Sequence, residues 1–170
     1  EKIISIYKNI LGFDDIDDED KTIILSSSKY KKGKFLLENG FLDDKNKESI
    51  LNDVLCSVKD FRFFKYILND FNIVINTPLI LKEQKDVRKI KYLFEKLSDT
   101  EKKSLKINLN IIDITRSNNN LNKLIFFKEN NIFDVNDLEF HLSKQIFIQK
   151  NDEVSNYIFG NLNSKNKFKS

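Results

Sequence analysis

The stretch KDFRFFKYIL, residues 59–68, is repeated in outline by KDVRKIKYLF, residues 85–94. Both copies read Lys-Asp, an apolar residue, Arg, any residue, an apolar residue, Lys-Tyr and two more apolar residues. Apolar residues three and four positions apart lie on one face of an α-helix. The two stretches therefore predict two amphipathic helices that pack with the same face.

The same apolar spacing recurs along the chain, with one apolar position followed by others three and five residues later. It starts at five anchor positions, Tyr30, Phe61, Val87, Leu121 and Val154, and the first copy is weaker because Gly33 stands at its second apolar position. An apolar cluster precedes each anchor, separated from it by polar turn residues such as residues 26–29. These clusters are residues 23–25, 50–55 with Val58, 79–81, 109–114 and 142–148. Internal repeats of about this length are typical of stacked helical units.

The predicted unit is a helix, a tight turn, a second helix and a loop, with an acidic residue such as Asp60 or Asp86 capping the second helix. One hairpin cannot bury its own apolar face, whereas a stack can. We therefore predict an all-α fold, a solenoid of about five stacked helical hairpins over residues 1–163, followed by a polar basic tail at 164–170. An amphipathic helix is predicted over residues 1–13. Ser98 and Glu101 predict a capping box for a short helix within 99–106.

Several short stretches resemble the ankyrin repeat. The Thr-Pro-Leu of residues 77–79 is similar to the start of that family's first helix, and residues 63–68 are similar to the core of its second helix. Residues 34–40 resemble the end of the second helix, with Gly40 as a left-handed cap, and residues 134–136 resemble the loop that follows. The resemblance implies stacked ankyrin-like hairpins. Another helical-hairpin solenoid and an irregular helical bundle remain alternatives.

The composition bears on the compartment and the partners. No apolar run approaches the roughly 20 residues that span a bilayer, so we expect no membrane partner. The single cysteine, Cys56, cannot form an internal disulfide, which favours an intracellular, cytoplasmic location. The chain begins at Glu1 and contains no Met, so we expect it to be a fragment of a longer protein. We attribute its many lysines to an AT-rich genome, and the net charge of +3 is too small to indicate nucleic-acid binding.

The residues able to support chemistry form no recognisable catalytic or metal-binding pattern. The acidic run at 14–20 lacks the glycine and the alternating carboxylates of a calcium loop, so we predict a solvated loop whose last acids favour the next helix start. Cys56 is expected to be buried, about three units away from His141, the only histidine. One cysteine and one histidine do not make the usual zinc site. We predict no catalytic, cofactor-binding or metal-binding residues and no enzyme activity.

Two basic runs are predicted to be solvated helix faces, because most aromatic residues fall on the apolar spacing of the core. The runs are Lys29, Lys31, Lys32 and Lys34, and Lys165, Lys167 and Lys169. The ankyrin resemblance implies a non-enzymatic protein–protein interaction module within a larger intracellular protein. Its partner would be another protein, bound by the first helices and by loop tips at 43–48, 72–77 and 131–137. A structural spacer or integral subunit of a large assembly is an alternative, and nucleic-acid contact through the basic runs is a third.

Overall fold

The structure is a computed structural model that describes residues 12–105 and 119–132, and within those ranges every regular element is helical. A 3₁₀ turn at Phe13–Asp15 precedes eight α-helices in the described residues. In chain order these are α1 (Asp18–Ser27), α2 (Tyr30–Glu38), α3 (Lys47–Ser57), α4 (Phe61–Asp70), α5 (Thr77–Glu83), α6 (Val87–Lys96), α7 (Asp99–Ser104) and α8 (Asn119–Glu129). The all-α prediction is confirmed for this part of the chain. The chain divides into an N-terminal unit, Glu1–Gln84, and a C-terminal unit, Lys85–Ser170.

The second helix of each predicted hairpin starts at or near its anchor position. Helices α2, α4 and α6 begin at the anchors themselves, and α8 begins two residues before Leu121. Asp60 accepts hydrogen bonds from backbone N–H groups in the first turn of α4, and Asp86 accepts one in α6. These caps satisfy N–H groups that a helix start leaves without an intrahelical partner. The fifth anchor, Val154, lies outside the described residues.

The predicted first helices are confirmed as α1, α3 and α5, while the clusters at 109–114 and 142–148 lie outside the described residues. The turn predicted at 26–29 is shorter than expected, because Ser26 and Ser27 belong to α1. The hydroxyl groups of Ser27 and Ser28 both donate to the carbonyl oxygen of Ile24. Such side-chain bonds provide partners for carbonyl groups at a helix end, so the helix runs further than the polar residues indicated.

Within the N-terminal unit, helices pack against the equivalent helix of the next hairpin. Helix α1 packs on α3, α3 packs on α5, and α2 packs on α4. The core between them is fully buried, including Leu25 of α1, Leu51 and Leu55 of α3, Phe63 of α4 and Leu81 of α5. In the C-terminal unit α6 packs on α8. The packing of equivalent helices is compatible with a helical repeat.

The second helices bury the same positions relative to their anchors. Positions three and six residues after the anchor are buried in all four described helices: Gly33 and Leu36, Phe64 and Ile67, Ile90 and Leu93, Leu124 and Phe127. At about 100° per residue, the anchor lies about 90° from the centre of this face on one side, and the fifth position lies about 130° from it on the other. The fifth position is therefore at the edge of the core. The expectation that Phe35 belongs to the core is wrong, because its side chain is 47% exposed.

Helices α2 and α8 end in the same hydrogen-bonded motif. Gly40 and Asn131 have φ angles of 72° and 54°, the left-handed conformation predicted for Gly40. Backbone N–H groups reach back to the last helical turn in the pairs Gly40–Leu37, Phe41–Leu36, Asn131–Lys128 and Ile132–Phe127. This is a Schellman motif. The preceding residues also match, since Asn39 Nδ2 donates to the Phe35 carbonyl at 2.7 Å and Asn130 Nδ2 to the Phe126 carbonyl at 2.8 Å.

The extended segment at 71–76 connects α4 to α5 and is attached to α3 by side chains. Asn52 Nδ2 donates to the Val74 carbonyl at 2.9 Å, and Asn52 Oδ1 accepts from the Asn76 N–H at 2.8 Å. Glu48 Oε2 accepts from the Val74 N–H at 3.1 Å. The segment thus gains hydrogen bonds to α3, and no strand is present among the residues the structure describes.

The remaining local predictions have mixed outcomes. The capping box is confirmed, because Ser98 and Glu101 exchange side-chain and backbone hydrogen bonds at the start of α7. The helix predicted over residues 1–13 does not reach Phe13, because Gly12 has a φ of 58° and a 3₁₀ turn begins at the next residue. Residues 1–11 and the tail at 164–170 lie outside the described residues.

Candidate functional site

A groove lies between the first helices α1 and α3 of the N-terminal unit. Its volume is about 440 Å³. It is lined by residues of both helices and of the loop before α3: Asp18, Glu19, Thr22, Ile23, Asn46, Ser49, Ile50 and Asp53. Ile50 is buried, whereas Ile23 is 58% exposed. The groove therefore presents an accessible apolar side chain among polar and acidic ones.

Hydrogen bonds hold the acidic end of this groove in place. Asp17 Oδ1 accepts from the Asp20 N–H at 2.8 Å and caps α1. Acids of the run at 14–20 thus lie at a helix start as predicted, but Asp18, Glu19 and Asp20 form the first turn of α1 and are not part of the expected loop. Asn46 Nδ2 donates to Asp18 Oδ2 at 2.6 Å, which ties the loop before α3 to the first turn of α1. The hydroxyl of Thr22 donates to the Asp18 carbonyl at 2.8 Å. The groove walls are thus linked across the two hairpins.

Charge in the N-terminal unit is divided between its first and second helices. The first helices with their leading loops, residues 13–28, 41–57 and 71–83, carry eleven acidic and four basic residues. The second helices with their leading turns, residues 29–40 and 58–70, carry seven basic and three acidic residues. The predicted loop tips at 43–48 and 72–77 belong to the first-helix side, although Lys47, Glu48 and Thr77 are helical. Of the tip at 131–137, only residues 131 and 132 are described.

On the second-helix side, aromatic rings and lysines alternate. The rings of Tyr30 and Tyr66 meet edge to face with centroids 5.7 Å apart, and Lys34 Nζ lies within 6.0 Å of both centroids. The Glu38 carboxylate, 3.5 Å from Lys34 Nζ, raises the pKa of that lysine. Partial burial raises the pKa of Tyr66. Phe35 is exposed on the same helix as Lys31 and Lys32, which are also exposed.

Asp60 links two consecutive hairpins. Besides capping α4, its Oδ2 accepts from the Tyr30 N–H at the start of α2, at 3.3 Å. Partial burial alone would raise the pKa of Asp60, but the three backbone hydrogen bonds, from Phe63, Tyr30 and Arg62, outweigh it and hold the pKa below its ordinary value. One carboxylate thereby serves the starts of two helices, including α2, which begins in a run of lysines.

The C-terminal unit contains two buried lysines at equivalent positions, two residues after their anchors. Lys89 is 2% exposed, with Nζ 3.4 Å from Asp86 Oδ2. Lys123 is 8% exposed, with Nζ 5.6 Å from the Phe127 ring centroid. The hydrogen bond from the Arg88 side chain is the main cause that lowers the pKa of Asp86. Lys89 thus lies beside a carboxylate and Lys123 beside an aromatic ring, both within the C-terminal unit.

Among the residues that the structure describes, those considered for catalysis or metal binding form no cluster. Cys56 lies in α3 and is half-buried, not fully buried as expected, because it stands at the edge of the buried face of that helix. His141 lies outside the described residues. Within 12–105 and 119–132, no group of three or more His, Cys, Asp or Glu side chains could hold a metal ion. Nor is any helix in these ranges long and apolar enough to cross a membrane.

Sequence reasoning predicted the first helices as the binding side but missed the groove residues Ile23 and Asp53. Ile23 was assigned to an apolar cluster, and nothing in its local sequence separates it from Leu25, which is fully buried. Asp53 and Glu19 come together only because α1 packs on α3. A charge count by hairpin element would have revealed the acidic first-helix side, since that signal needs only the helix boundaries.

Comparison of the whole chain with protein families, with curated proteins and with solved structures finds no match.

Proposed function

We propose that the chain is a protein-interaction module built from stacked, ankyrin-like helical hairpins, within a larger intracellular protein, and that it catalyses no reaction. The packing of equivalent helices, α1 on α3 on α5 and α2 on α4, supports the repeat. Solenoids of this kind present extended surfaces made by the same element of each repeat. In this chain that element would be the first helix.

The observation that carries the proposal is the groove between α1 and α3. It combines exposed Ile23 with the acidic side chains of Glu19 and Asp53. Protein interfaces typically surround a desolvated apolar centre with polar residues, and this groove offers both on adjacent helices. No chemical step is needed for such a surface to function.

Hydrogen bonds between neighbouring hairpins make this side of the unit a fixed platform. Three of them join hairpins in the N-terminal unit: Asn46 Nδ2 to Asp18, Ser26 to Ser57, and Gln84 Nε2 to the Leu55 carbonyl. Gln84 is 3% exposed and supplies a partner for one of the last carbonyl groups of α3. A surface that is ordered before binding loses less conformational entropy on association.

Site-specific photo-cross-linking tests the proposal. A photoreactive residue is introduced at Ser49, which lines the groove, and in a separate variant at Arg62, which is exposed on the second-helix side. The full-length protein carrying either residue is irradiated in extracts of the cells that make it. We expect one protein adduct from position 49 that position 62 does not give. A spacer without an exchangeable partner would give an adduct at neither position, and that outcome would reject the interaction function.

Nucleic-acid contact is a second candidate, favoured by one observation. Phe35 is 47% exposed beside the exposed Lys31 and Lys32, which is the combination of cationic and aromatic side chains found in single-strand binders. Binding of this kind falls steeply with salt. Fluorescence anisotropy with single-stranded RNA at increasing salt concentration tests it, with Phe35→Ser as the variant expected to weaken binding. Absence of binding at low salt removes this candidate.

A further inference from the structure

We propose that the groove between α1 and α3 binds a segment of another protein in which an apolar side chain is flanked by lysine or arginine. The inference rests on the proposed interaction function and deepens it by naming the chemistry of the partner. It commits to the first-helix side of the N-terminal unit.

Charge complementarity selects a cationic segment. Three of the groove's lining residues, Asp18, Glu19 and Asp53, are acidic, and none of the lining residues is basic. The groove also lies on the side of the unit where acidic residues outnumber basic ones by eleven to four. A low-dielectric wall next to carboxylates strengthens attraction to a cation, and the same field repels an acidic segment.

Ile23 selects the apolar side chain between those cations. It lies one helical turn after Glu19, so both side chains share one face of α1, and it faces the groove that Asp53 lines from α3. Buried Ile50 lines the same groove. An apolar side chain placed on Ile23 would therefore remove apolar surface from water while its neighbours in sequence reach the carboxylates. A volume of about 440 Å³ fits a few side chains, which suits a short segment.

A short labelled peptide probes this chemistry directly. The probe is a fluorescein-labelled peptide with one central leucine flanked by arginines, added to the full chain and followed by anisotropy. Two matched peptides replace the leucine by serine or the arginines by glutamates. We expect the first peptide to bind, the serine peptide to bind about tenfold more weakly, and the glutamate peptide not to bind.

Protein variants then locate the binding on the groove. Ile23→Ser should weaken binding about tenfold, and Asp53→Asn roughly threefold to tenfold at low salt and less at high salt. Two matched controls should leave the affinity unchanged. Val74→Ser removes a side chain that is 73% exposed outside the groove, and Asp70→Asn removes an exposed carboxylate at the end of α4.

Three results would overturn the proposal. These results are no binding of the arginine–leucine peptide, equal binding of the serine peptide, or equal effects of the groove variants and their controls. Sedimentation of the chain alone is the remaining arm, since self-association abolished by both groove variants would mean that a second copy occupies the groove. If the peptide fails while Ser49 still cross-links a partner, this inference fails and the interaction function stands.

Discussion

The ring of Phe63 in α4 packs directly on the backbone of Gly33 in α2, so that a Cβ atom on Gly33 would stand 2.3 Å from Phe63 Cζ. Glycine inside a helix costs about 1 kcal/mol relative to alanine, so a helix without this contact would favour alanine at position 33. Phe63 is fully buried, so a Cβ at position 33 would force its ring to shift within the core. The missing side chain of Gly33 therefore allows the second helices of two consecutive hairpins to pack.

Replacing Gly33 by alanine should destabilise the fold despite the better helix propensity of alanine. Overpacking of a filled core typically costs about 1–3 kcal/mol, which exceeds the propensity gain. We expect a lower free energy of unfolding in urea for Gly33→Ala. In the background of Phe63→Leu the same change should cost less, because the smaller side chain leaves room. Lys32→Ala, one residue earlier and exposed, is the control and should change stability by less than about 0.5 kcal/mol. A Gly33→Ala variant as stable as the original chain would contradict the packing.

The contact between Gly33 and Phe63 also shows which features can be predicted from the sequence and which cannot. The starts of α4, α6 and α7 were predicted because Asp60, Asp86 and Ser98 act on N–H groups two or three residues away. The spacing likewise predicted that the third position after each anchor is buried. The role of Gly33 was not predictable, because it depends on a ring 30 residues away in sequence. The exposure of Ile23 was missed for the same reason. It depends on how α3 packs on α1, and α3 is distant from Ile23 in sequence.

Asp60 should make stability depend on acid pH. A carboxyl group whose folded-state pKa lies below its unfolded value of about 3.9 stabilises the fold at every pH above that value. This stabilisation is lost as the pH falls through the folded-state pKa. Because the pKa of Asp60 is lowered, the free energy of unfolding should fall as the pH drops below about 4. Urea unfolding measured between neutral and acid pH checks this.

Variants of Asp60 separate its two caps. Asp60→Asn keeps an oxygen for α4, since Asn caps helices about as well as Asp, but its amide nitrogen cannot accept from the Tyr30 N–H. It should lose part of the stability and show a shallower acid dependence, whereas Asp60→Ala should lose about 1–2 kcal/mol. Asp70→Asn, at the end of the same helix, is the control. If Asp60→Asn keeps the full acid dependence, another carboxylate is responsible.

Substitutions in the Schellman motifs that end α2 and α8 should change stability in different directions at Gly40 and Asn131. Gly40→Ala places a Cβ in the left-handed conformation and should cost about 1–2 kcal/mol. Asn131→Gly relieves the same conformation and should be neutral or stabilising by up to about 1 kcal/mol. Urea unfolding of the two variants measures the change in the free energy of unfolding for each. Destabilisation by Asn131→Gly would mean that the side chain of Asn131 contributes more than its backbone conformation costs.

Asn52 should control the order of the segment at 71–76. Replacing it by alanine removes the acceptor of the Asn76 N–H and the donor to the Val74 carbonyl, at a cost of about 1–3 kcal/mol. Hydrogen exchange should accelerate most at the Asn76 amide. Glu48→Ala is the crossed control and should accelerate exchange most at the Val74 amide, whose N–H bonds to Glu48. The same exchange pattern in both variants would argue that Asn52 and Glu48 do not hold separate parts of the segment at 71–76.

Hydroxyl-radical footprinting can show whether the first-helix groove is the binding surface. The original chain is footprinted alone and in its non-covalent complex with the partner that cross-linking at Ser49 identifies. Three large apolar side chains are exposed among the described residues, and each reports on a different element: Ile23 in the groove, Phe35 on α2 and Val74 in the segment at 71–76. We expect the partner to protect Ile23 from oxidation while Phe35 and Val74 stay as reactive as in the free chain. Protection of Phe35 with Ile23 still reactive would place the partner on the basic second-helix side, and the groove would not be the binding surface.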